Sequence, residues 1–138
     1  MIVNINGEYF KRDYAKISVF DHGFLYGDGV FEGLRVYNSQ IFQLAKHLIR
    51  LYESAKALCI NVPISPDEME QRMLTCVKKE QMKEGYIRLI VTRGIGPLGI
   101  DPNKCQQCNI IIIMDNIALY PKEFYKRGIT IITASIRR

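Results

Sequence analysis

Residues 21–37 read Asp-His-Gly-Phe-Leu-Tyr-Gly-Asp-Gly-Val-Phe-Glu-Gly-Leu-Arg-Val-Tyr, and this stretch decides how the rest of the chain is interpreted. It holds four of the ten glycines and alternates them with aromatic and charged side chains. Glycine costs conformational entropy on folding, so a segment that only filled a core would not use so many. Residues 30–37 alternate with the period of a strand, and one face of that strand carries Phe31, Gly33, Arg35 and Tyr37. One face that carries an aromatic side chain, a glycine that leaves space and a cation is typical of a pocket wall.

The opposite face of this strand is apolar except for one carboxylate, since it carries Val30, Glu32, Leu34 and Val36. A carboxylate among apolar side chains is costly unless it is hydrogen-bonded. No pattern in the sequence identifies the partner of Glu32, and Arg35 has no assigned role.

Length and composition indicate one globular domain. The 138 residues are enough to bury a core, and 48% are hydrophobic while 24% are charged. No apolar run approaches the roughly 20 residues that cross a membrane. The first residues lack the basic and apolar regions of a signal peptide. We therefore expect a cytoplasmic protein that does not bind membranes.

Charge and cysteine usage argue against two further classes of protein. The net charge is +5, but the basic residues form no stripe, which favours an anionic small molecule over nucleic acid. Cys105 and Cys108 have the spacing of half a zinc site, and no second pair completes it. An isoleucine-rich strand follows them instead of a helix, so we expect free thiols, with no metal site and no redox motif.

Periodicity and turn signals predict an α+β domain. The predicted elements are, in order, a hairpin over residues 2–10 around Asn6-Gly7, a strand over 30–37, a helix over 44–58, a helix from the N-cap Ser65 to Lys83, a strand over 86–92, a strand over 109–114, a short helix over 121–127 and a strand over 129–136. They imply two layers: a mostly antiparallel sheet with two main helices packed on one face.

The open face of the predicted sheet carries candidate binding residues. Tyr86 and Arg88 project from one surface, together with Phe31 and Arg35. Two arginines and two aromatics suit a flat, anionic, partly apolar ligand. The loop over residues 93–102 holds three apolar side chains that a loop normally lacks, so we expect it to lie against a substrate or another subunit.

Arg50 lies at the border of the helix over residues 44–58. At about 100° per residue, it lies about 120° from the centre of the apolar stripe, and His47 lies about 60° from it. A border arginine can stay hydrated or turn inward to meet a buried anion. From the helix alone, the hydrated position is favoured.

Three motifs, in this order, resemble the class IV (fold type IV) pyridoxal-phosphate enzymes. They are Tyr-Gly-Asp-Gly-Val-Phe-Glu-Gly-Leu-Arg at 26–35, His-Leu-Ile-Arg-Leu at 47–51, and Tyr-Ile-Arg at 86–88 followed by Thr-Arg-Gly at 92–94. Within that class the chain is most similar to branched-chain amino acid aminotransferases. The resemblance covers essentially the whole chain and implies the N-terminal (small) domain of such an enzyme.

The resemblance also implies roles for residues of the site. Arg50 matches the arginine that binds the phosphate of pyridoxal 5'-phosphate, which reverses the interpretation from the helix alone. Tyr86 matches a tyrosine that helps bind the substrate α-carboxylate. Arg88 matches the arginine that receives the distal carboxylate of glutamate or 2-oxoglutarate. Phe31 matches a wall of the side-chain pocket for leucine, isoleucine or valine.

A second group of matching residues implies an oligomer. Tyr26, Leu98 and Ile100 match elements that reach across a dimer interface into the neighbour's site. A homodimer or higher homo-oligomer acting on amino acid and 2-oxo acid substrates is therefore implied.

The family's Schiff-base lysine is expected beyond Arg138, in a C-terminal domain that these residues do not include. No catalytic residue is therefore assigned, and residues 1–138 alone are expected to be inactive.

Three alternatives remain open. The chain is similar to D-amino acid aminotransferases in the Gly-Asp-Gly stretch. The resemblance ends after Thr-Arg-Gly, where those enzymes have a loop bearing arginine and histidine and this chain has Ile-Gly-Pro-Leu-Gly at 95–99. Aminodeoxychorismate lyases are of the same class but lack the Phe-Glu-Gly-Leu-Arg pattern. The third alternative is a non-catalytic binding module with this fold.

Overall fold

The computed structural model describes residues 1–116 and 120–135, which fold as one six-stranded sheet with helices against it. The strands are β1 Ile2–Ile5, β2 Glu8–Lys11, β3 Gly29–Tyr37, β4 Gln40–Ile41, β5 Gly85–Thr92 and β6 Asn109–Asp115. The helices are α1 His22–Tyr26, α2 Leu44–Ala57, α3 Pro66–Glu80 and α4 Lys122–Arg127. The strand order is β2-β1-β6-β5-β3-β4, and every pairing is antiparallel. The predicted α+β class is confirmed.

Both short hairpins turn through two residues with positive φ, the first of them at the predicted Asn6-Gly7. Asn6 and Gly7 have φ of 53° and 98°, and Asn38 and Ser39 have φ of 49° and 63°. Two successive residues with positive φ match the right-handed twist of the flanking strands, which sets the register of each hairpin. Ile5 consequently pairs with Glu8 across the first turn.

The two long helices begin where the sequence predicts, but the second ends earlier than predicted. Ser65 accepts a hydrogen bond from the Glu68 N–H at 3.1 Å, as expected of an N-cap. The helix ends at Glu80 because Gln81 adopts a left-handed φ of 51° and the Met82 N–H bonds the Val77 carbonyl. The prediction that α3 extends to Lys83 is therefore wrong by three residues.

One hydrophobic core lies between the sheet and helices α2 and α3. It is built from the inward rows of three central strands and the apolar stripes of both helices. Its fully buried large side chains include Leu34, Leu51, Met69, Met73, Ile87, Leu89, Ile112 and Met114. The two-layer arrangement with both main helices on one face is confirmed.

Two local predictions differ from the structure. The glycine-rich stretch contains the unpredicted helix α1, which Asp21 caps through the Gly23 N–H and Gly27 ends with a φ of 69°. The strand predicted over residues 129–136 is not formed at 129–135, where Ile132 is 93% exposed. A strand requires a hydrogen-bonded neighbour, and residues 129–135 pair with no strand that the structure describes. Residue 136 lies outside the described residues.

Candidate active site

The open face of the sheet brings Phe31, Tyr86 and Arg88 together. The register of β3 against β5 places Gly33 opposite Arg88, and Arg35 opposite Tyr86. The guanidinium carbon of Arg88 lies 4.4 Å from the centroid of the Phe31 ring and 5.9 Å from that of Tyr86. The cation is therefore held between two aromatic rings, an arrangement that stabilises it electrostatically.

Gly33 provides the space that the Tyr86 side chain occupies. A Cβ added at Gly33 would lie 2.1 Å from the Tyr86 hydroxyl oxygen. Any larger residue would displace the phenol from its place beside Arg88. The sequence indicated a gap at this position, but its occupant comes from β5, which local sequence does not reveal.

We call Phe31, Arg35, Tyr86 and Arg88 the open-face cluster. Its polar groups are available to a ligand. Neither the Arg88 guanidinium nor the Tyr86 hydroxyl hydrogen-bonds another residue of the described ranges. The Arg35 Nε is buried without a partner there, and its guanidinium carbon lies 5.4 Å from the Tyr37 ring centroid. Two cations and one phenol without an acceptor fit a carboxylate ligand, which offers four lone-pair positions.

Arg50 lies on the opposite face of the sheet from this cluster and contacts Glu32. Its Nε and Nη2 donate to the two Glu32 carboxylate oxygens at 2.6 and 2.5 Å, and the Nδ1 of His47 lies 2.8 Å from Oε2. The hydrogen bond from Arg50 is the main cause of the lowered pKa of Glu32, and Glu32 in turn raises the pKa of Arg50. Glu32 is therefore a buried anion of the kind that a border arginine can turn inward to meet, although the Arg50 side chain itself stays largely exposed.

The free outer edge of β3 separates these two groups. β4 pairs only with Val36 and Tyr37, so no described strand covers the outer side of residues 29–34. Glu32 and Gly33 are neighbours in β3 and therefore point to opposite faces. The structure thus places Arg50 and the open-face cluster on either side of one exposed strand edge.

Tyr26 and the loop after β5 form a third group. The Gly99 N–H donates to the Tyr26 hydroxyl at 2.8 Å, and the buried His22 places Nε2 3.0 Å from the Pro97 carbonyl oxygen. Leu98 and Ile100 nevertheless remain 72% and 85% exposed. The loop is held by its backbone while its apolar side chains point outward, as expected of a surface that another molecule covers.

Asp21 fixes the base of this loop, a role that sequence reasoning missed. Its carboxylate is completely buried and accepts bonds from the Gly23 N–H at 2.7 Å, the Thr92 hydroxyl at 2.8 Å and the Asn109 amide at 2.6 Å. The sequence carries one indication of this role, because aspartate is a preferred N-cap residue and Asp21 directly precedes α1.

The cysteine pair shows no sign of activation. Cys105 and Cys108 are both free, and burial raises the pKa of each thiol. Thiolates, not thiols, attack disulfides or bind metals. Within residues 1–116 and 120–135, no three His, Cys, Asp or Glu side chains are arranged to hold a metal ion. In the same ranges no helix has the length and hydropathy required to span a membrane.

The donors of Arg50 fit a phosphate group. Two of its three nitrogens are engaged with Glu32, whereas Nη1 bonds no described residue and the side chain is 64% exposed. An arginine held in this way offers a fixed cation and free N–H groups to a dianion. One arginine is a partial site, so further phosphate donors would have to come from elsewhere.

Comparison with known proteins identifies similar sequences along the whole chain. The family model described as amino-transferase class IV matches residues 29–138. A putative branched-chain-amino-acid aminotransferase of Methanocaldococcus jannaschii is 46% identical over 138 residues, which are all of this chain and 47% of that protein. A D-alanine aminotransferase of Bacillus licheniformis is 36% identical over 97 residues, covering 70% of this chain and 34% of that protein.

A solved structure has the same fold. The branched-chain amino acid aminotransferase of Escherichia coli superposes with a TM-score of 0.80 at 30% identity. The match covers 86% of this chain and 40% of that chain. These 138 residues therefore span about half the length, or less, of the proteins they match.

Proposed function

Because this chain belongs to the class IV aminotransferases, we propose that it supplies the N-terminal domain of a pyridoxal-phosphate-dependent branched-chain amino acid aminotransferase. The reaction would move the amino group of leucine, isoleucine or valine to 2-oxoglutarate. One observation carries this proposal: Arg88, with no hydrogen-bond partner in the described residues, lies between the rings of Phe31 and Tyr86. An apolar wall beside a cation suits a site that accepts both an aliphatic and an acidic side chain.

Each residue of the open-face cluster has a separate part in this proposal. Phe31 forms the wall against which the aliphatic side chain packs. Tyr86 donates its hydroxyl hydrogen to the substrate α-carboxylate. Arg88 pairs with the distal carboxylate of glutamate or 2-oxoglutarate, which leucine lacks. The site therefore accepts two substrates that differ in charge.

Arg50 would hold the phosphate of pyridoxal 5'-phosphate through Nη1, which bonds no residue that the structure describes. When bound, the cofactor supplies an electron sink for the carbanion formed at the substrate α-carbon. The Schiff-base lysine that the family requires would come from the part of the protein that follows these 138 residues. On this proposal, residues 1–138 alone bind and orient but do not catalyse.

We assign the exposed loop group to a neighbouring subunit. Tyr26 fixes the Gly99 backbone, and Leu98 and Ile100 present apolar surface outward. In a homodimer these side chains would cover the partner's substrate side-chain pocket. This would explain why they are exposed in a single copy.

The D-amino acid alternative is disfavoured by the same loop. Residues 95–99 carry only apolar side chains and glycines, so these five positions offer no cation for a carboxylate. The aminodeoxychorismate lyase reaction and a non-catalytic binding module of this fold remain outcomes of the test below.

A comparison of donors tests the proposal in the full-length protein supplied with pyridoxal 5'-phosphate. We expect glutamate to form from 2-oxoglutarate with leucine, isoleucine or valine as donor, and much more slowly with D-alanine. Formation of glutamate from D-alanine alone would support the D-amino acid alternative. Release of pyruvate from aminodeoxychorismate would support the lyase. Binding of the cofactor without any turnover would support the non-catalytic module.

A further inference from the structure

Glu32 is a charged residue at a position where packing alone would favour an apolar one. It lies on the inward row of β3 between Val30 and Leu34, and its side chain is only 7% exposed. Removing a carboxylate from water costs several kcal/mol unless charged partners and hydrogen bonds offset the cost. Valine or leucine at this position would avoid that cost, so the carboxylate requires another explanation.

The contacts of Glu32 fix the orientation of one guanidinium. Both carboxylate oxygens are used, Oε1 by the Arg50 Nε and Oε2 by the Arg50 Nη2. His47 must donate from Nδ1 to Oε2, because a carboxylate only accepts. Arg50 Nη2 and His47 Nδ1 are therefore both donors to the same oxygen, and their separation of 3.2 Å is not a hydrogen bond between them.

This pair connects a buried residue to an exposed one. The Arg50 side chain is 64% exposed whereas Glu32 is 7% exposed. An exposed arginine that is free to rotate loses rotamer entropy when a ligand immobilises it, and this loss weakens binding. A bidentate contact to a buried and rigid strand removes much of that freedom before any ligand arrives.

We propose that Glu32 is a positioning residue for the cofactor phosphate: it holds Arg50 so that Nη1 points outward, already oriented for a phosphate. This inference rests on the proposed function, because it requires that Arg50 bind the phosphate. Glu32 itself does not touch the cofactor. The negative charge of Glu32 also keeps the pair neutral until a dianion binds.

The critical test separates phosphate recognition from general stability. In Glu32→Gln of the full-length protein, the amide NH₂ would face an Arg50 donor in either orientation, Nε or Nη2, so the bidentate contact that holds Arg50 is lost. We expect the dissociation constant of pyridoxal 5'-phosphate to rise about tenfold, the lower end of what loss of an orienting partner costs metal ligands. The dissociation constant of pyridoxal, which lacks the phosphate, should stay the same. Both can be measured from the absorbance of the bound compound.

The chain offers a matched control. Asp28 binds Arg93 by a similar bidentate contact, with Nε at 2.9 Å and Nη2 at 3.0 Å. It lies four residues from Glu32 on the same chain segment, about 13 Å away when extended. Asp28→Asn should therefore lower stability without changing the ratio of the two dissociation constants.

A double-mutant cycle shows whether Glu32 acts through Arg50. Arg50→Gln should weaken pyridoxal 5'-phosphate binding, and adding Glu32→Gln to it should cause no further loss. Arg50→Lys keeps the charge but cannot make the bidentate contact, and should lose affinity for the phosphate compound only. This variant tests the inference even if Glu32→Gln does not fold.

Three results would overturn the inference while leaving the proposed function intact. They are equal weakening of pyridoxal and pyridoxal 5'-phosphate in Glu32→Gln, additive losses in the double variant, and wild-type affinity in Arg50→Lys. If the wild-type protein binds neither compound, the proposed function itself fails, and the inference fails with it.

Discussion

Replacing Gly33 by alanine tests the open-face cluster with a single methyl group. The added Cβ would lie 2.1 Å from the Tyr86 hydroxyl oxygen and 2.9 Å from its Cζ. Ordinary van der Waals contact begins near 3.4 Å, so the end of the phenol must move by more than 1 Å. The moving group is the tip of a side chain on an open face, so the ring can swing away while the strand stays in register.

We expect Gly33→Ala to change stability little and to lower catalytic efficiency strongly. Glycine in a strand interior costs roughly 0.5–1 kcal/mol relative to alanine, which offsets the cost of moving the ring. We therefore expect the free energy of unfolding to change by less than about 1 kcal/mol. A hydrogen bond to a charged group contributes about 1.5–3 kcal/mol. Loss of the proposed hydrogen bond from Tyr86 to the substrate α-carboxylate should therefore lower kcat/KM for leucine by roughly tenfold to a hundredfold.

The assay compares Gly33→Ala with a glycine substitution that is expected to change stability but not activity. Gly27 has a φ of 69°, and a Cβ there would meet no atom within 4 Å. Gly27→Ala should lower the free energy of unfolding by about 1–2 kcal/mol, the usual cost of a left-handed conformation, while kcat/KM stays unchanged. Urea unfolding and steady-state kinetics of both full-length variants supply the four values required.

The reasoning would be refuted by either of two outcomes. A Gly33→Ala protein with wild-type kcat/KM would show that the position of the Tyr86 hydroxyl does not matter for the substrate. A loss of stability above about 2 kcal/mol would show that the strand, rather than the ring, absorbs the added methyl group.

Three further predictions address individual residues. Arg88→Ala should raise KM for 2-oxoglutarate at least tenfold more than KM for leucine, and equal changes in steady-state kinetics would remove its assigned role. Asp21→Ala should lower the free energy of unfolding by about 3 kcal/mol because three hydrogen bonds to a buried carboxylate are lost, and a urea midpoint near that of the wild type would contradict this. Because its bond to Arg50 lowers the pKa of Glu32, the ionised pair stabilises the fold above the unfolded-state pKa of about 4.3 and stops doing so as the pH falls through the lower folded value. The stability advantage of wild type over Glu32→Gln should therefore be present at pH 7 and absent well below pH 4, as checked by urea unfolding at both values.

Much of the fold follows from local signals in the sequence. Asn6-Gly7 requires positive φ at two positions, and Ser65 offers an oxygen to a free N–H, so a turn and a helix start are determined by the residues themselves. Strand alternation likewise predicts that Phe31, Tyr86 and Arg88 share one face. The structure confirms that placement, whereas their roles toward a substrate stay predictions.

The parts that were missed depend on residues far apart in the sequence. Glu32 and Arg50 are 18 positions apart, on different elements, and only the packing of α2 on β3 brings them together. The bond from Asn109 to Asp21 spans 88 positions. The strand predicted over residues 129–136 had the right local composition, but a strand also needs a neighbour, which no local pattern supplies.

The contact between α2 and β3 accounts for two positions that the sequence left open. A carboxylate at Glu32 in an apolar row needs a cation, and Arg50 at the border of an apolar stripe can meet a buried anion. Each residue alone has several explanations. The structure shows that the two residues form one pair, which the sequence did not predict.

The most direct test of the central claim follows the amino group itself. The full-length protein, supplied with pyridoxal 5'-phosphate, is given ¹⁵N-leucine and 2-oxoglutarate, and the glutamate is analysed by mass spectrometry. The account predicts ¹⁵N-glutamate from the wild type and a large loss of it in Arg88→Ala. Absence of label in glutamate from the wild type, with leucine, isoleucine and valine each tried as donor, would contradict it.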